Sequence, residues 1–168
     1  MVGNEPYLNI GCGKVRYPNT INMDVVKNKF TQTDIVGSAL DIPFEDDRFE
    51  GIIFSHVLEH LNNKQHQKAI LEIRRVLKFG GTVYIEVPNF EMACKYFVDN
   101  YQGRRGYWYQ CIYGRDNYGT DTHRSGITED YLTDLLFSNG FGHLKWPICD
   151  PSVAALAVFA EKVEMVIK

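Results

Sequence analysis

A mostly parallel, layered α/β sheet is the fold this sequence predicts, on three observations. Short apolar runs of strand character alternate with stretches of helical spacing. The first run ends in a glycine turn, Leu8-Asn9-Ile10-Gly11-Cys12-Gly13. Gly11 and Gly13 carry no side chain to hold a ligand away, at the strand edge where open α/β sheets bind small molecules. The chain's 168 residues amount to a single domain, 1–168, long enough to bury a core.

The elements follow in order. Tyr7–Ile10 reads as the first strand and Thr20–Asp24, ending on an acid, as the second. Residues 33–36 suggest a third, and Phe49–Ser55 is a compact apolar run of buried-strand type. From residue 56 to 78 the period becomes helical, with Leu58, Leu61, Ile70, Ile73, Arg74 and Leu77 on one side. Phe79-Gly80-Gly81 is expected to end that helix. Residues 82–87 form the next strand, Pro88 breaks it, and residues 90–101 have helical character. Residues 128–139 read as a helix capped by Thr128 and stopped by Gly140. Strands at residues 141–146 and 153–161 complete the set.

Only a handful of residues separate Gly13 from the second strand, and residues 25–32 are too short and too poor in helix formers for a crossover helix. The sheet is therefore expected to have a reduced helix complement on one face. The cover of the bare apolar face is either the segment 101–124 or a second subunit, and a homodimer is the preferred answer.

Composition narrows the class. Hydrophobic residues make up 45% and charged residues 23%, with a net charge of −3 and no lysine–arginine block. This argues against a nucleic-acid surface. Cys12, Cys94, Cys111 and Cys149 form no C-x-x-C pair, so they read as reduced thiols. No signal-peptide pattern or membrane-spanning run is present, and the expectation is a cytoplasmic protein with no membrane contact.

Four segments, in this order, resemble the class I S-adenosylmethionine-dependent methyltransferases, in particular the small, methyltransferase type 11-like branch. They are LNIGCG at residues 8–13, Ile42-Pro43-Phe44-Glu45-Asp46-Asp47-Arg48-Phe49-Glu50, SHVLEHL at 55–61 and EIRRVLKFGG at 72–81. Gly140-Phe141 after a helix is similar to the family's closing element. The resemblance implies a Rossmann-like, mostly parallel sheet with a terminal antiparallel strand. It implies S-adenosylmethionine as cofactor and S-adenosylhomocysteine as product. The donor carries no phosphate, so the missing helix after Gly13 is tolerable for it and awkward for a dinucleotide.

On this resemblance the cofactor-binding residues are Asn9, Gly11, Cys12, Gly13, Asp24, Ser38, Ala39, Ser55 and His56. Asp24 is placed to accept from the ribose hydroxyls, its other reading being a turn or cap residue. The chain departs from the family pattern at Asn9, where an acid is frequent, at Val15, where a third glycine is expected, and at Ser38, where an adenine-reading aspartate is usual.

Residues 96–125 fall where the family places a substrate-recognition insertion. This stretch holds Tyr96, Phe97, Tyr101, Tyr107, Trp108, Tyr109, Tyr113 and Tyr118 with Arg104, Arg105 and Arg115. Aromatic faces with arginines suit a sugar, a nucleotide or an aromatic acceptor; a helical cover or a subunit interface is the equal alternative. Asn89, Tyr107, Tyr109, Tyr113 and Arg124 are the candidate substrate residues, Asn89 having a turn role as its other reading. His123 and His56 are the candidate catalytic bases, His123 being equally readable as a loop anchor.

The expected function is methyl transfer to a small-molecule acceptor, preferably a hydroxyl of a sugar or related metabolite, with no metal required. A non-catalytic binding protein of the same fold is the alternative. His56-Val57-Leu58-Glu59-His60 also fits the H-x-x-E-H zinc-peptidase spacing, which leaves a zinc hydrolase as a remoter one. Otherwise His60 is expected to pack under the sheet while Glu59 favours a helix N-terminus.

Overall fold

The computed structural model describes residues 7–115 and 121–164. Its core is a seven-stranded sheet in the order β3-β2-β1-β4-β5-β7-β6. The strands are β1 (Tyr7–Ile10), β2 (Thr20–Asp24), β3 (Ile35–Val36), β4 (Phe49–Ser55), β5 (Leu77–Pro88), β6 (Phe141–Lys145) and β7 (Ala155–Lys162). β1 to β5 pair in parallel, while β7 runs antiparallel to both β5 and β6. The expected α/β class with a terminal antiparallel strand is therefore what the chain forms.

Among the described residues four α-helices accompany the sheet: α1 (Asn63–Val76), α2 (Phe90–Val98), α3 (Arg105–Tyr113) and α4 (Glu129–Ser138). α1 buries His66, Ala69, Ile70, Ile73 and Val76, and α4 buries Leu132 and Leu136. The two helices touch each other and the sheet on the same side, closing the main core around Leu8, Ile10, Ile52, Phe54, Val83 and Ile85. Apolar burial at roughly 25 cal/mol per Å2 makes this side the main stabilising layer.

The opposite side shows no helical cover among the described residues. Tyr7, Ile53, Thr82, Tyr84 and Phe159 follow one another across β1, β4, β5 and β7 and line a shallow groove of about 410 Å3 with Tyr17. Tyr7, Tyr17 and Phe159 stay about two-fifths exposed there. The thinly covered face expected from the missing crossovers is thus present. The described part of segment 101–124 does not lie over it. Trp108 is fully buried between Tyr96, Tyr101 and Tyr107, and holds α3 against α2 in a second small cluster with Ala93 and Ala154. Tyr118 lies outside the described residues.

Hydrogen bonds replace the absent crossover helices. Asn9 donates to Asn22 Oδ1 at 3.0 Å, Asn22 donates to Asp34 Oδ2 at 3.1 Å, and Arg16 pairs with the other oxygen of Asp34. Burial pushes the Asp34 carboxyl up, but the donors from Asn22 and the Arg16 guanidinium outweigh it and hold it below the usual carboxylate range.

Several boundaries differ from expectation. The helix predicted from residue 56 begins only at Asn63. His56 takes a left-handed φ of 54°, residues 58–60 make a single tight turn, and Asn62 and Gln65 close a capping box. The helix ends at Val76 without help from the glycines, because Leu77 pairs directly with Phe49 in the sheet. Residues 78–81 then bulge out before pairing resumes at Gly51 and Thr82, with Gly80 at a φ of 74°. The third strand shortens to Ile35–Val36. No helix among the described residues is long and apolar enough to cross a membrane.

His66 is fully buried in α1. Its Nδ1 lies 2.7 Å from the Tyr131 hydroxyl, which donates to it, and its Nε2 donates to the Leu61 carbonyl at 3.1 Å. Burial pushes this imidazole below the ordinary histidine value, more strongly than the Leu61 and Leu58 carbonyls and the charge of Glu59 raise it. The neutral form is therefore favoured by folding. Its contribution is complete above the unfolded value of about 6.5 and is lost as pH falls from there through the depressed folded value. Thermal unfolding should show a falling melting temperature from pH 7 to pH 5, and His66→Gln should flatten that slope while lowering stability at pH 8.

Candidate functional site

The strand order reverses between β1 and β4, which is where open α/β sheets hold ligands. Around this switch point the carboxyl ends of β2, β1 and β4 bring Asp24, the Gly11–Cys12–Gly13 turn and Ser55–His56 to one edge, with residues 37–40 following β3 on the same side.

The two glycines turn out to differ. Gly11 has a φ of 69°, and a Cβ on it would lie 2.3 Å from Val57 Cγ2, so its missing side chain makes room for SHVLEHL. Gly13 has a φ of 49° with nothing within 4 Å of an added Cβ, so open space lies in front of it. Asp24 Oδ2 accepts from Gly13 N at 2.9 Å and Oδ1 accepts from Val26 N at 3.0 Å. Its carboxylate thereby organises the turn, and each oxygen keeps acceptor capacity for a ligand hydroxyl. Asn9 and Cys12 are buried, Asn9 in the interior network and Cys12 with its sulfur 3.7 Å from Thr33 Oγ1. Ser38 Oγ accepts from Leu40 N at 3.1 Å beside the buried Ala39.

Next to this edge opens a cavity of about 460 Å3, lined among others by His56, Glu59, His60, Glu86, Tyr107 and His123. Three segments converge on it: the turn at 58–60, the end of α3 and the loop 121–125. They are zipped together by backbone bonds from Arg124 N to the Glu59 carbonyl at 2.8 Å and from His123 N to the Tyr113 carbonyl at 3.1 Å.

His56 is clamped between carboxylates, Nδ1 at 3.1 Å from Glu59 Oε1 and Nε2 at 3.4 Å from Glu86 Oε1. The hydrogen bond to Glu59, against the effect of burial and with the charges of both acids, raises its pKa. His123 is shifted the other way: burial lowers it first, the His60 ring adds to that, and Glu59 opposes. Its Nδ1 donates to the Cys111 carbonyl at 3.1 Å, which leaves Nε2 with the free lone pair.

Of the residues expected to meet the acceptor, His56, His123 and Tyr107 line this cavity. Tyr107 also stacks under Arg104, 4.1 Å from ring centroid to guanidinium. Asn89 caps α2 by accepting from Met92 N at 3.0 Å. Tyr109 and Tyr113 pack on each other, centroids 4.7 Å apart, and are half exposed outside the cavity lining, where Arg124 is also absent. The zinc-peptidase geometry does not form, because residues 56–60 never make the helix that would align His56 with His60. Nor does His60 pack under the sheet: it lines the cavity in edge-to-face contact with His123, ring centroids 5.0 Å apart. Glu59 lies in the first turn of the short helix at residues 58–60, with its side chain buried. Glu86, Cys111 and Gln110 were not legible as lining residues, since strand and helix periodicity reports burial but not which face meets a loop.

Residues 8–85 match the family model described as a methyltransferase domain. An uncharacterized protein of Methanocaldococcus jannaschii is 33% identical over 104 residues, spanning 55% of this chain and 45% of its own length. The human probable tRNA methyltransferase 9B is 31% identical over 102 residues, 52% of this chain and 22% of that protein. The chain thus spans less than half the length of these curated relatives. A SAM-dependent methyltransferase structure from Methanosarcina mazei superposes with a TM-score of 0.65 at 18% identity, over 94% of this chain and 92% of that one. The 1,6-didemethyltoxoflavin-N1-methyltransferase of Burkholderia thailandensis, solved with its substrate and S-adenosylhomocysteine, gives 0.64 at 14% identity, over 94% and 71%. The resemblance read from the motifs is borne out by the family match over residues 8–85 and by the fold of these structures.

The different environments of the two glycines predict different losses. Gly11→Ala should cost about 2 kcal/mol or more, from a positive φ plus displacement of Val57, read as a lower melting temperature. Gly13→Ala should cost about 1–2 kcal/mol of backbone strain alone, with its larger effect on ligand binding at the strand edge.

Proposed function

We propose that this chain transfers the sulfonium methyl group of S-adenosylmethionine to a hydroxyl of a small polar acceptor, a sugar or related metabolite, in the cavity beside the switch point. The observation that supports it most is the contiguity of two sites: the Gly13–Asp24 edge, suited to a nucleoside without phosphate, and a cavity whose first residue from that edge is His56. Asp24 accepts the ribose hydroxyls, the Gly11–Gly13 turn faces the methionine portion, and Ser55 and His56 border the methyl group.

The reaction needs alignment more than activation, because the positive sulfur already makes the methyl electrophilic. The acceptor oxygen forms the new C–O bond as the C–S bond breaks, its electron pair going to sulfur and giving the neutral thioether. The hydroxyl proton goes to Nε2 of His123, which its lowered pKa keeps neutral and its bond to the Cys111 carbonyl holds in the accepting tautomer. His56 lies between Glu59 and Glu86, whose carboxylates favour its charged form, and Tyr107 offers a ring face to the acceptor. A cytoplasmic setting and a homodimer belong to the same reading. The aromatic row Tyr7, Tyr84 and Phe159 on the bare face is the surface a second copy would cover.

Calorimetry with S-adenosylhomocysteine tests the premise: binding at micromolar to sub-millimolar ligand is expected, and none at millimolar concentration would sink the reading. Asp24→Ala should weaken that binding about tenfold, the equivalent of about 1.4 kcal/mol for charge-assisted hydrogen bonds. With a hydroxylated acceptor in hand, His123→Ala should lower kcat about a hundredfold with little change in S-adenosylhomocysteine affinity. For the dimer, sedimentation should show a concentration-dependent species that Phe159→Glu abolishes; a monomer at all concentrations in the wild type removes that part.

A further inference from the structure

Glu59, His60 and His123 each offer a ligand atom, and these atoms lie within 4.8 Å of one another at the wall of the cavity. The residues come from two distant parts of the chain, the turn after β4 and the loop before α4. Three independent features make this a built site and not a chance grouping.

The first is the orientation of the rings. His60 Nδ1 lies 3.2 Å from the Thr122 carbonyl and His123 Nδ1 lies 3.1 Å from the Cys111 carbonyl. A carbonyl oxygen only accepts, so each Nδ1 carries the proton and each Nε2 presents a lone pair. This is the arrangement in which metal-ligating histidines are held, with the second nitrogen tied to a backbone oxygen that sets the tautomer and the ring plane. The second is an orphan. The Glu59 side chain is only 2% exposed, its Oε1 is engaged by His56, and its Oε2 is buried without a hydrogen-bond partner. An unsatisfied carboxylate oxygen in the interior is costly and calls for a cation or donor. The third is scaffolding: the Glu59 carbonyl accepts from both Arg124 N and Ser125 N, at 2.8 and 3.3 Å, so the backbone clasps the two segments at the point where their ligands meet.

We propose that Glu59, His60 and His123 bind a divalent transition metal of the zinc class, with the remaining coordination positions open to the cavity. Two imidazoles and one carboxylate are a donor set suited to zinc, cobalt or a similar ion and poorly suited to calcium or magnesium, which prefer oxygen. Metal–nitrogen bonds of about 2.0–2.1 Å bring tetrahedral ligands to about 3.3 Å apart. Loading therefore draws the three ligand atoms closer together. His56 then serves as the outer partner that orients Glu59. The site is distinct from the helical H-x-x-E-H arrangement, since it replaces His56 with a histidine from the loop before α4. If the chain transfers methyl groups as proposed above, an ion held here would select acceptors bearing an oxygen that can coordinate it and would lower the pKa of that hydroxyl, whose proton would pass to solvent water, with His123 serving as a ligand in place of the base.

The test uses the full chain stripped with a chelator and titrated with cobalt(II) and zinc(II). One equivalent per chain is expected, with the intense visible absorption of four-coordinate cobalt and its displacement by zinc. His123→Gln and His60→Gln should each weaken binding about a hundredfold or more, while the exposed His143→Gln leaves it unchanged. Absence of the cobalt spectrum in the wild type overturns the proposal, as does binding that survives both cavity substitutions. If the variants fail to fold, the wild-type spectrum decides alone. S-adenosylhomocysteine calorimetry on the stripped protein separates failure of this site from failure of the methyl-transfer reading.

Discussion

The Val57 side chain fills the space a Cβ on Gly11 would need, and through that contact the turn after β1 and the turn after β4 lock together at the switch point. The geometry of both neighbouring sites depends on it. With Gly11 pinned, the chain must leave β1 sharply, so that Gly13 N reaches Asp24 and the backbone amides of Gly11 and Cys12 both donate to the Met23 carbonyl. On the other side of this contact His56 takes a left-handed conformation with its N–H held by the Glu86 carbonyl, and Glu59 and His60 of the following turn line the cavity.

The same constraint explains how the sheet survives without its usual crossovers. A helix after β1 would bury apolar surface; here a polar chain does the work. Asn9, Asn22, Asp34 and Arg16 link the first three strands, and Gln32 N donates to the Gly13 carbonyl at 2.7 Å to hold the second loop against the first. Such a network stabilises only when every member is satisfied, which is why the Asn9 amide is committed to Asn22 and the Val15 carbonyl. The consequence on the outer side is a partly exposed groove in which β1, β5 and β7 each present an aromatic ring. A polar set of loops can hold strand edges in register but cannot cover a face.

Two neighbouring sites result, with contrasting electrostatics. The strand edge offers backbone amides and one carboxylate. The cavity collects three histidines over two buried or half-buried glutamates, so that His56 is pushed toward its cationic form while burial keeps His123 neutral. Opposite shifts in histidines a few ångströms from the same Glu59 are a division of labour between charge and lone pair.

Much of this was legible in the residues alone. β1, β2, β4 and the Thr128 cap were readable because strand alternation and capping are local, and LNIGCG with SHVLEHL identified the fold because their order along the chain is specific. The thin face also followed from loop length, a covalent limit. What the tertiary structure decided was wherever two distant segments meet. It separated the roles of Gly11 and Gly13, because Val57 is 46 residues away in the chain. It moved the start of α1 past residues 56–61, because the bond from His56 N to the Glu86 carbonyl and the clasp on Glu59 outweigh their helical period. It also joined His60 to His123. No periodicity carries that pairing, since it arises only when a loop closes across the end of a sheet.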